Sequence, residues 1–271
     1  MSGGPCGRPY HNIKNGGSAL LPIERKNTIL SRLMADGKVI VSDLALEFDV
    51  TEETIRRDLD KLEKEGLAKK TYGGAVKNEN LNTELPLTVR KQTNVEGKKY
   101  IAEKIAEHIS DGDYILLDAS TTALFTVKEI ADRHNITLLT NSIEVLLELP
   151  QNGDWRVICT GGEFVQSSLS FAGRQVESII DEYNVDLCVI SCKGLDMEKG
   201  ITDTRDYNAT IKKAFMRSAK KVFLAVDNTK FDKTSFVRLA NIGEVDAVVT
   251  DKEPSEEWKS YFASNNVELY Y

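Results

Sequence analysis

Hydrophobic positions recur along this chain with two different periods. Near the amino end Ile29, Leu30, Leu33 and Met34 stand three and four apart, the stripe of an amphipathic helix over residues 23–36 that closes at Asp36-Gly37. Val39-Ile40-Val41 is a very short extended stretch. Ser42 is placed to cap a second helix with Leu44, Ala45 and Phe48 on one face, and Asp49-Val50 makes a turn. Thr51 opens a third helix as its N-cap, with Glu53 and Thr54 in the first turn, where a carboxylate suits the helix dipole. Ile55, Leu59 and Leu62 form its apolar face, and Gly66 ends it. Two short strands around Gly73-Gly74 follow. The pattern is three helices and a wing, a winged helix-turn-helix unit over residues 23–77.

From Lys98 onward the pattern alternates between helical and extended. Tyr114–Leu117, Thr137–Leu139, Arg156–Cys159, Leu187–Cys192, Val222–Val226, Ala247–Thr250 and Val267–Tyr270 read as strands, with helices filling most gaps. Alternation of this kind implies a mainly parallel sheet covered on both faces. The fold class is therefore α/β: an N-terminal winged helix-turn-helix followed by a C-terminal, mainly parallel α/β domain over residues 96–271. Residues 78–95 are polar, include Pro86 and read as a linker. Residues 1–22 are rich in Gly, Pro, Ser and Asn, lack periodicity and read as a disordered leader.

Composition narrows the function classes. No apolar run approaches the roughly 20 residues of a membrane helix, and no secretory signal is visible, so the chain reads as cytoplasmic with no membrane partner. Cys6, Cys159, Cys188 and Cys192 lack metal-ligand spacing, and only three histidines are present, so no metal site, cofactor or catalytic triad is expected. The net charge of −7 by itself argues against a nucleic-acid partner. Its distribution does not: residues 20–77 carry eleven basic and eleven acidic residues, and the excess of acid lies in the second domain. DNA affinity needs cations on one face, not a basic whole.

The third helix has the features of a recognition helix. Its apolar face would hold it to the first two helices, which leaves Thr54, Arg56 and Arg57 near the end that enters a major groove. A guanidinium fork matches both a guanine edge and a phosphate. Lys69, Lys70 and Tyr72 in the wing would meet backbone or minor groove. With the helix caps Ser42 and Thr51, these residues make up the expected interface for double-stranded operator DNA.

In the second domain, polar clusters fall at strand ends, where open parallel sheets bind ligands. Asp118-Ala119-Ser120-Thr121-Thr122 follows the first strand and opens a helix. Small hydroxyl residues at a helix N-terminus make an anion site. Thr140-Asn141-Ser142 ends the second strand, Gly161-Gly162 the third, and Lys193-Gly194 follows the fourth. Thr202 and Asp203 lie shortly after, Lys212 sits on the next helix, and Asp227 with Lys230 ends the following strand. Together these suit a polar, partly anionic ligand: a phosphate would take the Ser/Thr loop, hydroxyls the Asp and Asn groups, with lysine supplying charge.

The string VTEETIRRDLDKLEKEGLAKKTYGGAV closely resembles the N-terminal signature of the DeoR family of bacterial regulators. Thr51 stands where serine is commoner, which preserves the capping oxygen, and Tyr72 stands where histidine is commoner. The strings LLDASTTAL, LLTNS, TGGEF, GITD and VDNTKFDK, and the lysine of ATIKKAF, resemble the family's effector domain, so the likeness spans residues 23–270. It implies a fold shared with ribose-5-phosphate isomerase, Ser120, Thr121 and Thr122 lining a phosphate loop, and Asn141, Gly162 and Lys212 facing the ligand. Ser120 replaces the loop's usual glycine. The expectation is a DNA-binding repressor of carbohydrate genes, a dimer or tetramer, released from its operator by a phosphorylated sugar. The alternative is a sugar-phosphate isomerase with an accessory DNA-binding domain. The shared fold and Asp118, Lys212 and Asp227 motivate that reading, but the acidic catalytic segment of such isomerases is not found in GITDTRDYNATIKK.

Overall fold

The computed structural model describes residues 20–78, 85–150 and 153–271. Most of the expected leader (residues 1–19) and part of the expected linker (79–84) lie outside the described residues.

Three helices form the first unit: α1 (Pro22–Asp36), α2 (Val41–Glu47) and α3 (Glu52–Lys64). Pro22 at the first helical position begins α1, because its fixed φ suits a helix start and its missing N–H has no acceptor to satisfy there. Gly37, at φ 75°, ends it. Ile29, Leu30, Leu33, Ile55, Leu59 and Leu62 are all 0–1% exposed and form the core between α1 and α3. A buried ion pair crosses the same interface, with Arg25 Nε 2.6 Å from Asp58 Oδ2. Thr51 caps α3 as expected, its Oγ1 accepting from the Thr54 N–H at 3.3 Å.

Ser42 does not cap α2. Val41, expected as the end of the extended stretch, already begins the helix, because its N–H is taken by Gly73 O at 2.9 Å. Ser42 therefore falls in the first turn, exposed, with its hydroxyl on Asp43. Strands β1 (Lys38–Ile40), β2 (Ala68–Thr71) and β3 (Gly74–Lys77) pair antiparallel in the order β1-β3-β2. A Cβ on Gly74 would lie 1.9 Å from Val39 O, so only glycine lets β3 approach β1 this closely.

The expected linker is partly helical. Helix α4 (Leu87–Gln92) places Val89 fully buried in the winged-helix core. Helix α5 (Val95–Ala106) follows at once.

The second unit is a seven-stranded parallel sheet. Its strands are β4 (Tyr114–Leu117), β5 (Thr137–Thr140), β6 (Arg156–Cys159), β9 (Val185–Ile190), β12 (Ala219–Ala225), β14 (Ala247–Val249) and β15 (Glu268–Tyr270), in the order β15-β14-β12-β9-β4-β5-β6. Alternate residues face opposite layers. Leu116, Cys188 and Leu224 pack under α8 (Arg174–Ile180), α9 (Asp206–Arg217) and α10 (Glu256–Ser264). Ile115, Val189 and Phe223 pack under α5 and α6 (Thr121–Glu129). Burial pushes the Cys192 thiol up to about 12, and it raises Cys188 as well, which makes both inert.

Five short strands lie outside the sequence expectation. β7 (Glu163–Val165) and β8 (Ser170–Ala172) form a hairpin, and β10 (Gly194–Asp196), β11 (Gly200–Asp203) and β13 (Val237–Ala240) form an antiparallel sheet. Helix α7 (Ile143–Leu147) follows β5. Among the described residues no helix is long and apolar enough to cross a membrane, and no His/Cys/Asp/Glu group could hold a metal.

Candidate functional site

The chain runs β4 to β6 in one direction across the large sheet and β9 to β15 in the other. The order reverses between β4 and β9, the position where open α/β sheets bind ligands. A cavity of about 430 Å³ opens there. Its floor comes from the residues that follow the strands. Asp118 and the Ser120–Thr122 turn follow β4, Asn141 follows β5, and Ser191 to Lys193 follow β9. Asp227 to Lys230 follow β12, while Asp203 and Lys212 come from β11 and α9.

The Ser120–Thr122 turn is built as an N-cap. Ser120 Oγ accepts from the Ala123 N–H at 3.0 Å, and the Ser120 N–H donates to Asp118 Oδ1 at 3.0 Å. The remaining N–H groups at the start of α6 have no acceptor within the helix, and the positive end of its dipole faces the cavity. Asp118 is buried and also accepts from the Ser191 N–H at 2.9 Å, so it joins the two strand ends on either side of the reversal.

Lys212 Nζ lies 2.7 Å from Asp203 Oδ2 and 3.5 Å from Asp118 Oδ2, and it donates to Ser191 O at 2.6 Å. Burial pushes the ammonium down, but the two carboxylates outweigh burial and hold it well above its ordinary value. Burial likewise pushes Asp203 up, and Lys212 more than reverses that. Lys212 is thus committed to protein carboxylates. Asp227 sits below its ordinary value because Lys230 and the Thr229 donors outweigh burial. Asn141 Nδ2 donates to Phe171 O at 2.8 Å, which leaves its Oδ1 buried, beside the cavity and without a hydrogen-bond partner.

Six expected ligand residues lie outside this lining. Thr140 spends its hydroxyl on Leu117 O and Ser142 caps α7, so both serve the backbone. Thr202 donates to Gly194 O and accepts from the Ser235 N–H. A Cβ on Gly194 would lie 2.4 Å from Lys233 O, and one on Gly162 would lie 2.7 Å from Ala172 O. Gly194 and Gly162 are thus required by close chain approach, and Gly161, at φ 59°, by its turn. The structure adds residues that the strand-end rule does not find. Lys98, Arg90 and Asn94 line the cavity from α4 and α5, and Met34, Leu67 and Lys77 line it from the winged helix. The cavity therefore lies between the two domains.

On α3 of the winged helix, Arg57 is well exposed and Arg56 partly so. Each forms an i,i+4 pair, Arg56 with Glu52 at 3.0 Å and Arg57 with Glu53 at 3.2 Å. Surface pairs of this type are worth little and separate readily. In the wing, Lys69 and Tyr72 project into solvent, while Lys70 is engaged with Asp60 on α3.

These two surfaces agree with the comparisons. The DeoR-like helix-turn-helix domain matches residues 25–80 and the DeoR C-terminal sensor domain matches residues 93–252. The chain belongs to the DeoR family and is a DNA-binding transcriptional regulator. It is 38% identical to the uncharacterized HTH-type transcriptional regulator YulB of Bacillus subtilis, over 86% of this chain and 90% of the relative. It is 30% identical to the L-fucose operon activator of Haemophilus influenzae, over 90% and 97%. It is 29% identical to the glycerol-3-phosphate regulon repressor of Escherichia coli, over 91% and 97%. A solved ribose-5-phosphate isomerase in complex with phospho-erythronic acid aligns with 17% identity and a TM-score of 0.37, over 51% of this chain and 54% of that one.

Proposed function

We propose that this protein is a repressor of carbohydrate genes whose winged domain grips operator DNA and whose cavity takes a phosphorylated sugar that releases it. One observation carries the reading: the open, positive end of α6 and the unpartnered Asn141 Oδ1 face one cavity at the strand-order reversal, and winged-helix residues wall that cavity. The first feature suits a phosphate and the second a hydroxyl donor. A relative named for the glycerol-3-phosphate regulon supports a phosphorylated ligand, and one named for the L-fucose operon supports carbohydrate genes as the target. Arg56, Arg57, Lys69 and Tyr72 form the DNA face, and two or four copies would present it to repeated half-sites. The ligand must prefer the non-binding arrangement, since equal affinity for both shifts nothing.

No catalytic step is assigned to the cavity. Asp203 is the carboxylate held by Lys212 below its ordinary range, which leaves it a poor proton acceptor near neutrality. The test is a gel shift on DNA from the chain's own upstream region, repeated with a panel of phosphorylated sugars and with their unphosphorylated parents. A phosphorylated sugar that weakens the complex supports the reading, one that strengthens it reverses the sign, and silence across the panel removes the ligand class.

A further inference from the structure

Lys98 is a lysine in a core position. It stands three, four and seven residues before Ile101, Ala102 and Ile105, the buried stripe of α5, and only 6% of its own surface is exposed. Its Nζ is 2.5 Å from the carbonyl oxygen of Arg90 and 2.5 Å from that of Thr93. Those carbonyls lie at the carboxyl end of α4, where the negative end of a helix dipole favours a cation.

The two helices joined by this contact pack mainly against different domains, although Lys91 of α4 also pairs with Glu144 of α7 in the sheet domain. Helix α4 packs with the winged domain: Val89 is in its core, and Gln92 Oε1 accepts from Ser31 Oγ of α1 at 2.7 Å. Helix α5 is fixed to the sheet domain, by its apolar stripe and by Asn94 Nδ2, 3.0 Å from Asp251 Oδ2. Lys98 also forms part of the cavity wall. Burial pushes this ammonium down to about 8; Asp227 opposes the shift, while Lys230 and Arg90 add to it. Two neutral carbonyls therefore hold a poorly solvated cation beside a site shaped for an anion. A phosphoryl group is a stronger acceptor than either carbonyl.

We propose that Lys98 transmits occupancy of the cavity to the DNA-binding domain: an anionic ligand draws its ammonium off the carbonyls of Arg90 and Thr93, and α4 loosens together with the winged domain into which it packs. The proposal rests on the reading of the cavity as the ligand site given above. The energy for the change is the difference between Lys98 bound to the anion and Lys98 bound to α4, which is what a ligand needs to shift a two-state equilibrium.

The test uses the full chain with inorganic phosphate as the probe, against sodium chloride at equal ionic strength. Melting temperature reports binding, and hydrogen exchange at the amides from Arg90 to Thr93 reports α4. Phosphate is expected to raise the melting temperature while speeding exchange at those amides about tenfold, the scale of one charge-assisted hydrogen bond lost. In Lys98→Met the same amides should exchange fast without phosphate, and phosphate should add nothing. A raised melting temperature with unchanged α4 exchange in the wild type overturns the coupling and leaves the cavity reading standing. So does a Lys98→Met protein that responds as the wild type does. No stabilisation of the wild type by phosphate removes the cavity reading, and this proposal with it.

Discussion

Lys212 and Asp203 form a salt bridge of 2.7 Å on the floor of the cavity, with the aspartate carboxylate wholly buried. The lysine that the sequence pattern offers to a phosphate is therefore already neutralised, which leaves the α6 N-terminus as the element we propose for the phosphate. Removing the lysine reverses the pH response. In the wild type Asp203 lies below its ordinary value, so its contribution to stability is present above that value and fades as pH falls through the depressed one. In Lys212→Met burial is opposed only by Lys193 and the Thr204 N–H, the lesser of the groups that favour the carboxylate, so Asp203 rises. That variant should lose about 3–5 kcal/mol at neutral pH and regain part of it as the pH is lowered toward 5. Urea titrations at two pH values read this directly; an unchanged pH dependence would remove the pair from this role.

The Arg25–Asp58 pair gives a second, independent expectation. It is buried between α1 and α3, and neither residue lines the cavity. Asp58→Ala strands a guanidinium in the winged-helix core, so urea denaturation should show a loss of about 3–5 kcal/mol, with operator binding lost at the temperature where that domain melts. A loss under 1 kcal/mol would mean that Arg25 finds solvent.

Arg57→Ala should weaken operator binding by about 1–3 kcal/mol without lowering the melting temperature. Its pair with Glu53 is exposed, so the fold loses almost nothing when the pair is removed. A gel shift with unchanged affinity would take Arg57 out of the interface.

The recognition helix was legible because its two requirements, an apolar stripe and a free polar end, fall on different residues of one regular period. The large sheet was legible because strands buried on both faces appear as continuous apolar runs. The start of α2 was not, since Val41 becomes helical through a bond to Gly73 O, a contact thirty-two residues distant in sequence. The antiparallel strands β10, β11 and β13 are three or four residues long, too short to show a period. Six of the fifteen expected ligand residues are hydroxyls and glycines outside the cavity lining that serve the backbone or close packing, and composition does not separate those from Asn141. Lys98 did leave a trace, a cation on the apolar stripe of α5, but its meaning depends on where α4 lies. The contribution of Met34, Leu67 and Lys77 to the cavity depends on domain docking, for which a sequence carries no periodic signal.

Lys98 also sets a pH window. Burial lowers it from 10.5 to about 8 in the folded chain, so the folded state carries the full penalty below about 8 and escapes it as pH rises toward 10.5. The stability of the wild type, measured relative to Lys98→Met, should therefore increase across that interval. A flat difference between the two proteins would show that the ammonium is better solvated than its position implies.

The most direct measurement of the whole account is release from operator DNA by phosphorylated sugars, compared between the wild type and Thr121→Asp. A carboxylate at the first position of α6 suits the helix dipole, so the fold and DNA binding should survive, while its negative charge repels an incoming phosphate. The account predicts that a phosphorylated sugar dissociates the wild-type complex, that its unphosphorylated parent does not, and that the variant stays bound in the presence of either. Equal release of both proteins, or release by the parent sugar, would contradict it.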